Sequence, residues 1–137
     1  LARLDLPGHF AGLASTVVDA RIVAHDDHDH LSVLDFSGGT LLVPRGHGNP
    51  GDVVRCRIDA RDVSLALSRP ESSSILNLVR AVIVGVADTD HAAQCLVRLD
   101  ANGSALLARI TRRSWQQLRL HEGMPVWAQV KAIALFE

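Results

Sequence analysis

Short runs of hydrophobic residues, interrupted by polar turn-forming residues, recur along most of the chain, which is the pattern of short β-strands. Four runs in the first half are rich in β-branched and apolar residues and are separated by turn-forming residues. These runs are 17–24, 31–36, 40–43 and 53–67. Four similar runs follow in the second half at 78–86, 94–99, 105–110 and 125–136. The pattern predicts an all-β chain of short strands.

The two sets of runs contain a repeated sequence. Residues 51–60 (GDVVRCRIDA) align with residues 123–132 (GMPVWAQVKA), with glycine, valine, an aliphatic residue and alanine at the same offsets. Strands this short cannot each bury a face alone, so they must share a core. The repeat predicts two related small barrels of the OB-like or Mop type, packed together or interleaved. We place the first unit at 1–72 and the second at 73–137.

The two units differ at one connection. Where the first unit has a loop at 44–50, the second carries the longer segment 111–122. Ser114 followed by Gln117 forms a capping-box pair, and Gly123 supplies a stop, so this segment predicts one short helix. Trp115 and Leu118 lie on one face of that helix.

Composition describes a folded domain with no strong charge. Of the 137 residues, 47% are hydrophobic and 21% are charged, and the net charge is −1. This balance gives no general attraction for nucleic acid. Trp115 and Trp127 are expected in the core, which leaves no aromatic platform for bases. Cys56 and Cys95 lie inside predicted strands, and we expect both to be free thiols in the core in a reducing compartment.

Four short motifs follow one another in the second unit: Ser74-Ile-Leu-Asn77, Thr111-Arg-Arg-Ser114, Leu118-Arg-Leu-His-Glu122-Gly123 and Lys131-Ala132. On these motifs, residues 74–135 resemble a Mop/TOBE domain, the molybdate-binding module. Residues 60–66 resemble the sequence segment that precedes this module in ATP-binding subunits of molybdate ABC transporters. The chain has no Gly-x-x-x-x-Gly-Lys-Ser/Thr loop for a nucleotide. The resemblance therefore implies a regulatory region that follows the ATPase domain of the same polypeptide.

The resemblance also implies a function and a site. It implies a cytoplasmic, non-enzymatic domain that binds molybdate or tungstate, uses no organic cofactor and binds no nucleic acid. In such proteins the anion sites lie between subunits, so a homodimer is implied, coupled through the ATPase domain to a membrane permease without direct membrane insertion. The implied oxyanion-binding residues are Ser74, Asn77, Thr111, Ser114, Lys131 and Ala132. Hydroxyls, a lysine and an amide beside a small residue suit a tetrahedral dianion.

Two other interpretations remain open. His25, His28 and His30 stand among three aspartates and are ligand types for zinc or nickel, although they fall at a predicted turn. Leu76 occupies a position that is often arginine in Mop modules, which favours an interaction or dimerisation module with a degenerate ligand site. The sequence does not separate molybdate from tungstate or sulfate.

Overall fold

The computed structural model describes residues 14–136, which form ten strands and one short α-helix. The strands are β1 Ser15–Asp26, β2 Leu31–Phe36, β3 Gly39–Pro44, β4 Val53–Asp59, β5 Val63–Ala66, β6 Asn77–Asp88, β7 Gln94–Ala101, β8 Ser104–Thr111, β9 Pro125–Val130 and β10 Ala134–Phe136. The helix, α1, spans Arg112–Gln117, and a single 3-10 turn spans Ala60–Asp62. The predicted all-β fold with one short helix is confirmed.

The strands form two five-stranded antiparallel sheets that exchange one strand each. The first sheet has the order β10-β4-β1-β2-β3, and the second has the order β5-β9-β6-β7-β8. Thus β5, from the first half of the chain, pairs with β9, and β10, from the second half, pairs with β4. The sheets are therefore interleaved. The division at residue 72 stays a prediction about sequence units, since each sheet takes a strand from both sides of it.

This exchange corrects two of the predicted strands. The run 53–67 is two strands in different sheets, β4 and β5, separated by the 3-10 turn. The run 125–136 likewise divides into β9 and β10 around residues 131–133. Alternation along a run reports which face is buried, but it carries no information about which strand lies alongside.

The repeated sequence corresponds to a repeated local structure. Gly51 and Gly123 adopt positive φ angles of 98° and 85°, a conformation that side chains rarely allow. The Gly51 N–H donates to the carbonyl oxygen of Ile22 at 2.8 Å, and the Gly123 N–H donates to that of Ile83 at 2.7 Å. The ladder shifts register just after Ile22 in β1 and just after Ile83 in β6. The predicted alignment of 51–60 with 123–132 is therefore confirmed at its first residue.

Strand pairing extends this equivalence to the start of each unit. Thr16 in β1 lies opposite Ile58 in β4, and Asn77 in β6 lies opposite Val130 in β9. Because Ile58 and Val130 occupy the same place in the repeated sequence, Thr16 and Asn77 are equivalent positions.

A continuous apolar core joins the two sheets. Its largest fully buried side chains come from both halves and include Ile22, Leu34, Ile58, Ile83, Leu99 and Leu106. Cys56 and Cys95 are buried free thiols, as predicted. Burial raises the pKa of the Cys56 thiol to about 11, so this thiol stays protonated at neutral pH.

The two tryptophans have different environments. Trp115 packs against the core. Trp127 lies between the buried residues Val126 and Ala128 on β9. Because successive side chains of a strand point to opposite faces, Trp127 faces outward. The guanidinium groups of Arg69 and Arg80 lie 5.5 and 5.7 Å from the centre of its ring. The prediction that Trp127 is a core residue is wrong.

Helix α1 begins one turn earlier than the sequence predicted. Thr111 is the N-cap residue, and its hydroxyl oxygen accepts a hydrogen bond from the Ser114 N–H at 3.1 Å. Ser114 is therefore inside the first turn, and the predicted capping box of Ser114 with Gln117 is wrong. A threonine at the end of a strand can cap equally well, so the hydroxyl alone did not decide the boundary.

The helix ends before Gly123 through a Schellman arrangement. The Arg119 N–H donates to the Gln116 carbonyl, and the Leu120 N–H donates to the Trp115 carbonyl, both at 3.1 Å. Arg119 takes the left-handed conformation, with φ 53°, that glycine usually supplies. The buried Leu120 provides the apolar contact that accompanies this motif.

Candidate functional site

A cavity of about 320 Å³ lies at the junction between the two sheets. Its lining residues are Leu31, Leu42, Ser74, Ile75, Leu76, Asn77, Val130 and Lys131. Lys131 is the only charged residue among them, and no carboxylate lines the cavity. A single cation, a hydroxyl and apolar walls form a small site that favours an anion.

The cavity lies where the chain passes from one sheet to the other. Ser74 precedes β6 on the connection from β5, and Lys131 follows β9 on the connection to β10. The two crossing regions are joined directly, because the Lys131 N–H donates to the Asp62 carbonyl at 2.7 Å. Asp62 ends the 3-10 turn that leads into β5.

Lys131 presents its charge to solvent. Its side chain is exposed, and none of the ion pairs between residues 14 and 136 includes it. The neighbouring Ala132 is also exposed and has no side chain beyond Cβ, although it is not among the residues that line the cavity. An ammonium group without a carboxylate partner is available for an anionic ligand.

Asn77 lines the same cavity, but its side-chain amide is already engaged. Asn77 is only 8% exposed. Its Oδ1 accepts from the Leu42 N–H at 2.7 Å, and its Nδ2 donates to the Leu42 carbonyl at 2.8 Å. The amide group therefore pairs with the backbone of Leu42 in β3, as one strand residue pairs with another.

Thr111 and Ser114 are not brought to this cavity. Besides capping α1, the Thr111 hydroxyl donates to Ser114 Oγ at 3.0 Å. Thr111 pairs with Gln94 of β7, and the neighbouring Cys95 pairs with Asp88, the last residue of β6. Asn77 is the first residue of β6, so the two hydroxyls and the cavity lie near opposite ends of this strand. Of the six predicted residues, the structure collects Ser74, Asn77 and Lys131 in one cavity.

Sequence reasoning missed the walls contributed by the first half of the chain. Leu31 and Leu42 come from β2 and β3, and nothing in their local pattern distinguishes them from other strand residues. They reach the cavity only because β3 is the edge strand of the first sheet and lies beside β6. Leu76 lines the cavity with a side chain that is 62% exposed.

A larger cavity of about 650 Å³ has mixed charge. Its lining combines Arg98 with Asp100 and Glu122, and apolar residues around the β6 bulge form the rest. Carboxylates on two sides disfavour an oxyanion there. The smaller cavity at Lys131 is therefore the candidate site.

The histidine segment has a structural role in the first half. His25 Nε2 donates to the Gly48 carbonyl at 2.7 Å, so His25 Nδ1 accepts the Ser32 hydroxyl at 2.8 Å. The Ser32 oxygen in turn accepts from the Gly46 N–H at 3.0 Å. Both nitrogens of His25 are thus used to hold the loop at 45–52. Between residues 14 and 136, no three His, Cys, Asp or Glu side chains are arranged to hold a metal ion.

Comparison with known proteins shows what this architecture is similar to. Residues 73–136 match the TOBE domain. The fold is also that of a solved structure, the cytoplasmic molybdate-binding protein ModG with molybdate bound, with a TM-score of 0.74 and 19% identity over 88% of this chain and 94% of that one. Residues 73–136 are therefore similar to a TOBE domain, and the described part of the chain has an OB-like, Mop-type fold.

Similarity extends over nearly the whole chain to one kind of protein. The chain is 50% identical over 135 residues to the molybdenum import ATP-binding protein ModC 1 of Azotobacter vinelandii, covering 98% of the chain and 37% of that protein. It is 46% identical over 138 residues to ModC of Methylococcus capsulatus, covering 100% of the chain and 38% of that protein. The chain thus spans little more than a third of these relatives. The resemblance inferred from the sequence is confirmed.

These similarities concern a binding domain. A TOBE domain is not catalytic, and the ATPase part of the ModC relatives lies outside the segment that the chain matches. In the part of the chain that the structure describes, the helix is far too short to cross a bilayer.

Proposed function

We propose that the cavity at Lys131 binds molybdate or tungstate, and that the chain is the oxyanion-sensing region of a cytoplasmic ABC-transporter ATP-binding subunit. The observation that carries the proposal is the cavity itself, whose lining includes Lys131 and Ser74 but no carboxylate residue. The molybdenum import relatives and the molybdate-bound ModG structure support the choice of anion. Ala132, beside Lys131, would offer its backbone amide to a ligand oxygen.

The proposed site is completed by a second copy of the chain. Thr111 and Ser114 do not line the cavity that holds Ser74, Asn77 and Lys131. If both sets contact one anion, the hydroxyl pair comes from the partner subunit of a homodimer. Anion binding then favours one arrangement of the two subunits, and by linkage the attached ATPase domains and the membrane permease respond to that arrangement.

Calorimetric titration of the purified chain with molybdate, tungstate and sulfate tests the ligand. We expect binding of molybdate or tungstate and a marked loss with Lys131→Ala at an unchanged melting temperature. Absence of heat with all three anions would refute the sensor. Light scattering with and without ligand measures the oligomeric state at the same time.

Mixed dimers test whether the site is shared. A Lys131→Ala chain and a Ser114→Ala chain each lack one half of every site in their own homodimers. Co-expressed as a heterodimer, they form one site with both changes and one with neither. Recovery of about one normal site per heterodimer supports a shared site, whereas no recovery places all the ligands within one chain. Ser114→Ala is suitable because Ser114 contributes its backbone N–H, which the change leaves intact, to the Thr111 cap.

A second function is favoured by Leu76. This exposed leucine supplies apolar surface at the cavity where a second cation would strengthen anion binding. A chain that dimerises but binds no oxyanion would be an interaction module with a degenerate site. Leu76→Arg separates the two functions. If the site is functional, the added arginine raises an affinity for molybdate that the unaltered chain already has. If the site is degenerate, the arginine creates binding that the unaltered chain lacks.

A further inference from the structure

The side chain of Asn77 bridges the two sheets at the edge of the cavity. Asn77 opens β6 in the second sheet, and Leu42 lies in β3, the edge strand of the first. Both polar atoms of the Asn77 amide pair with the backbone N–H and carbonyl of Leu42, at 2.7 and 2.8 Å. This two-point contact fixes the separation and the register of the two strands at the cavity.

The cavity depends on that contact for the part of its wall that the first sheet supplies. Leu31 and Leu42 reach the cavity from the first sheet, and the remaining lining residues belong to the second half of the chain. If β3 moves away from β6, the cavity opens on one side and the ligand loses the part of the apolar wall that Leu31 and Leu42 form. On the other side, the backbone hydrogen bond from the Lys131 N–H to the Asp62 carbonyl joins the two connections that cross between the sheets.

We propose that Asn77 is a positioning residue, which closes the junction between the sheets around the anion and so transmits occupancy of the cavity to the first half of the chain. The proposal rests on the proposed function, since it concerns regulation through the same site. Binding requires the closed junction, and an occupied cavity in turn holds the junction closed. The first half, which contributes no charged group to the cavity, thereby responds to the ligand.

The equivalent position in the first half supplies a variant that the fold accommodates. Thr16 occupies in β1 the place that Asn77 occupies in β6. Asn77→Thr keeps a residue with high strand propensity, but one hydroxyl cannot replace both bonds to Leu42. Asn77→Leu preserves the size of the side chain and removes both bonds. Ile83→Val and Ile83→Ala provide controls in the core of the same strand, and the one that matches the melting temperature of the Asn77 variant is used.

Two measurements on these chains test the positioning role. Calorimetry with molybdate is expected to give a Kd at least about tenfold higher for Asn77→Thr than for the matched Ile83 control, as for other residues that orient a ligand shell. Hydrogen exchange followed by NMR is expected to show the Leu42 amide of the unaltered chain slowing in proportion to 1 + [molybdate]/Kd. In Asn77→Thr this dependence on molybdate is lost.

The outcomes separate the two proposals. If the unaltered chain binds none of the oxyanions, the proposed function fails and the positioning role fails with it. If the unaltered chain binds molybdate but Asn77→Thr and Asn77→Leu bind as tightly as the matched control, only the positioning role is overturned. Binding to the unaltered chain without slower exchange at Leu42 also overturns it.

Discussion

The two halves of the molecule place opposite charges at one structural position. Asp59 follows Ile58 at the end of β4, and Lys131 follows Val130 at the end of β9. Asp59 lies 3.4 Å from the Arg57 guanidinium, whereas Lys131 lines a cavity and forms no ion pair within residues 14–136. At this equivalent position, therefore, only the second half carries a cationic group.

A second difference concerns the connection before β4 and β9. In the second half this connection contains α1, and in the first half it is a loop held by His25 and Ser32. Sheet pairing, bulge and glycine turn are the same on both sides. The repeated backbone thus sets the fold, and the connections and strand ends are free to differ. We infer that the first half is a structural partner and the second half the sensor.

The largest effect is expected where the halves are alike. Ile22→Ala and Ile83→Ala each remove a buried side chain from the common core, and each should lower the free energy of unfolding by about 2–5 kcal/mol. Because the sheets exchange strands, urea unfolding followed by fluorescence and by circular dichroism should remain one transition in both variants. Two separated transitions would contradict a common core.

Making the second half resemble the first should abolish sensing. Lys131→Asp copies the charge of Asp59 and is expected to weaken molybdate binding on the order of 100-fold by calorimetry. Its side chain is exposed and forms no ion pair with another residue of 14–136, so the melting temperature should change little. Arg55→Asp makes the same change of charge on an exposed strand residue of the first half. Equal losses of affinity in both variants would show a general charge effect instead of a site.

The loop of the first half should matter for stability and not for binding. Ser32→Ala leaves the Gly46 N–H and His25 Nδ1 without their partner and should lower the free energy of unfolding by about 1–3 kcal/mol. Molybdate affinity should be unchanged. A loss of affinity at constant stability would assign this loop to the sensor and remove the distinction between the halves.

The smallest effect concerns the end of α1, which only the second half contains. Arg119→Gly relieves the left-handed conformation at Arg119 and should stabilise the domain by about 1 kcal/mol in a thermal melt. Gln116→Gly, inside the same helix, should instead destabilise it by a similar amount of about 1 kcal/mol. If Arg119→Gly also destabilises the domain, the helix end is held by contacts of the arginine side chain.

Much of the fold was predictable because it follows from local pattern. Runs of β-branched and apolar residues identified the strands, the aligned segments that begin at Gly51 and Gly123 identified the repeat, and the longer connection at 111–122 identified the helix. The cap of that helix was misplaced by three residues because Thr111 and Ser114 carry the same hydroxyl chemistry. Trp127 was misplaced because its size favoured the core although its position in the alternation faced outward.

The site was predictable only in part. Ser74, Asn77 and Lys131 were identified from the order of short motifs, and the structure brings them to one cavity. The contact of Asn77 with Leu42 was not foreseeable, because the two residues are 35 positions apart and belong to different sheets. Pairing between distant strands leaves no mark on the spacing of either one.

By itself, the sequence determined the all-β class, the repeat, the family resemblance and the residue types that can hold an oxyanion, since these are properties of short segments. Only the tertiary structure decided that β5 and β10 exchange sheets and that the cavity lies at the two crossings. It also decided that Asn77 is bound to Leu42 and that Thr111 and Ser114 lie elsewhere. The physical reason is that these features arise from burial of apolar faces and backbone pairing between segments far apart in the chain.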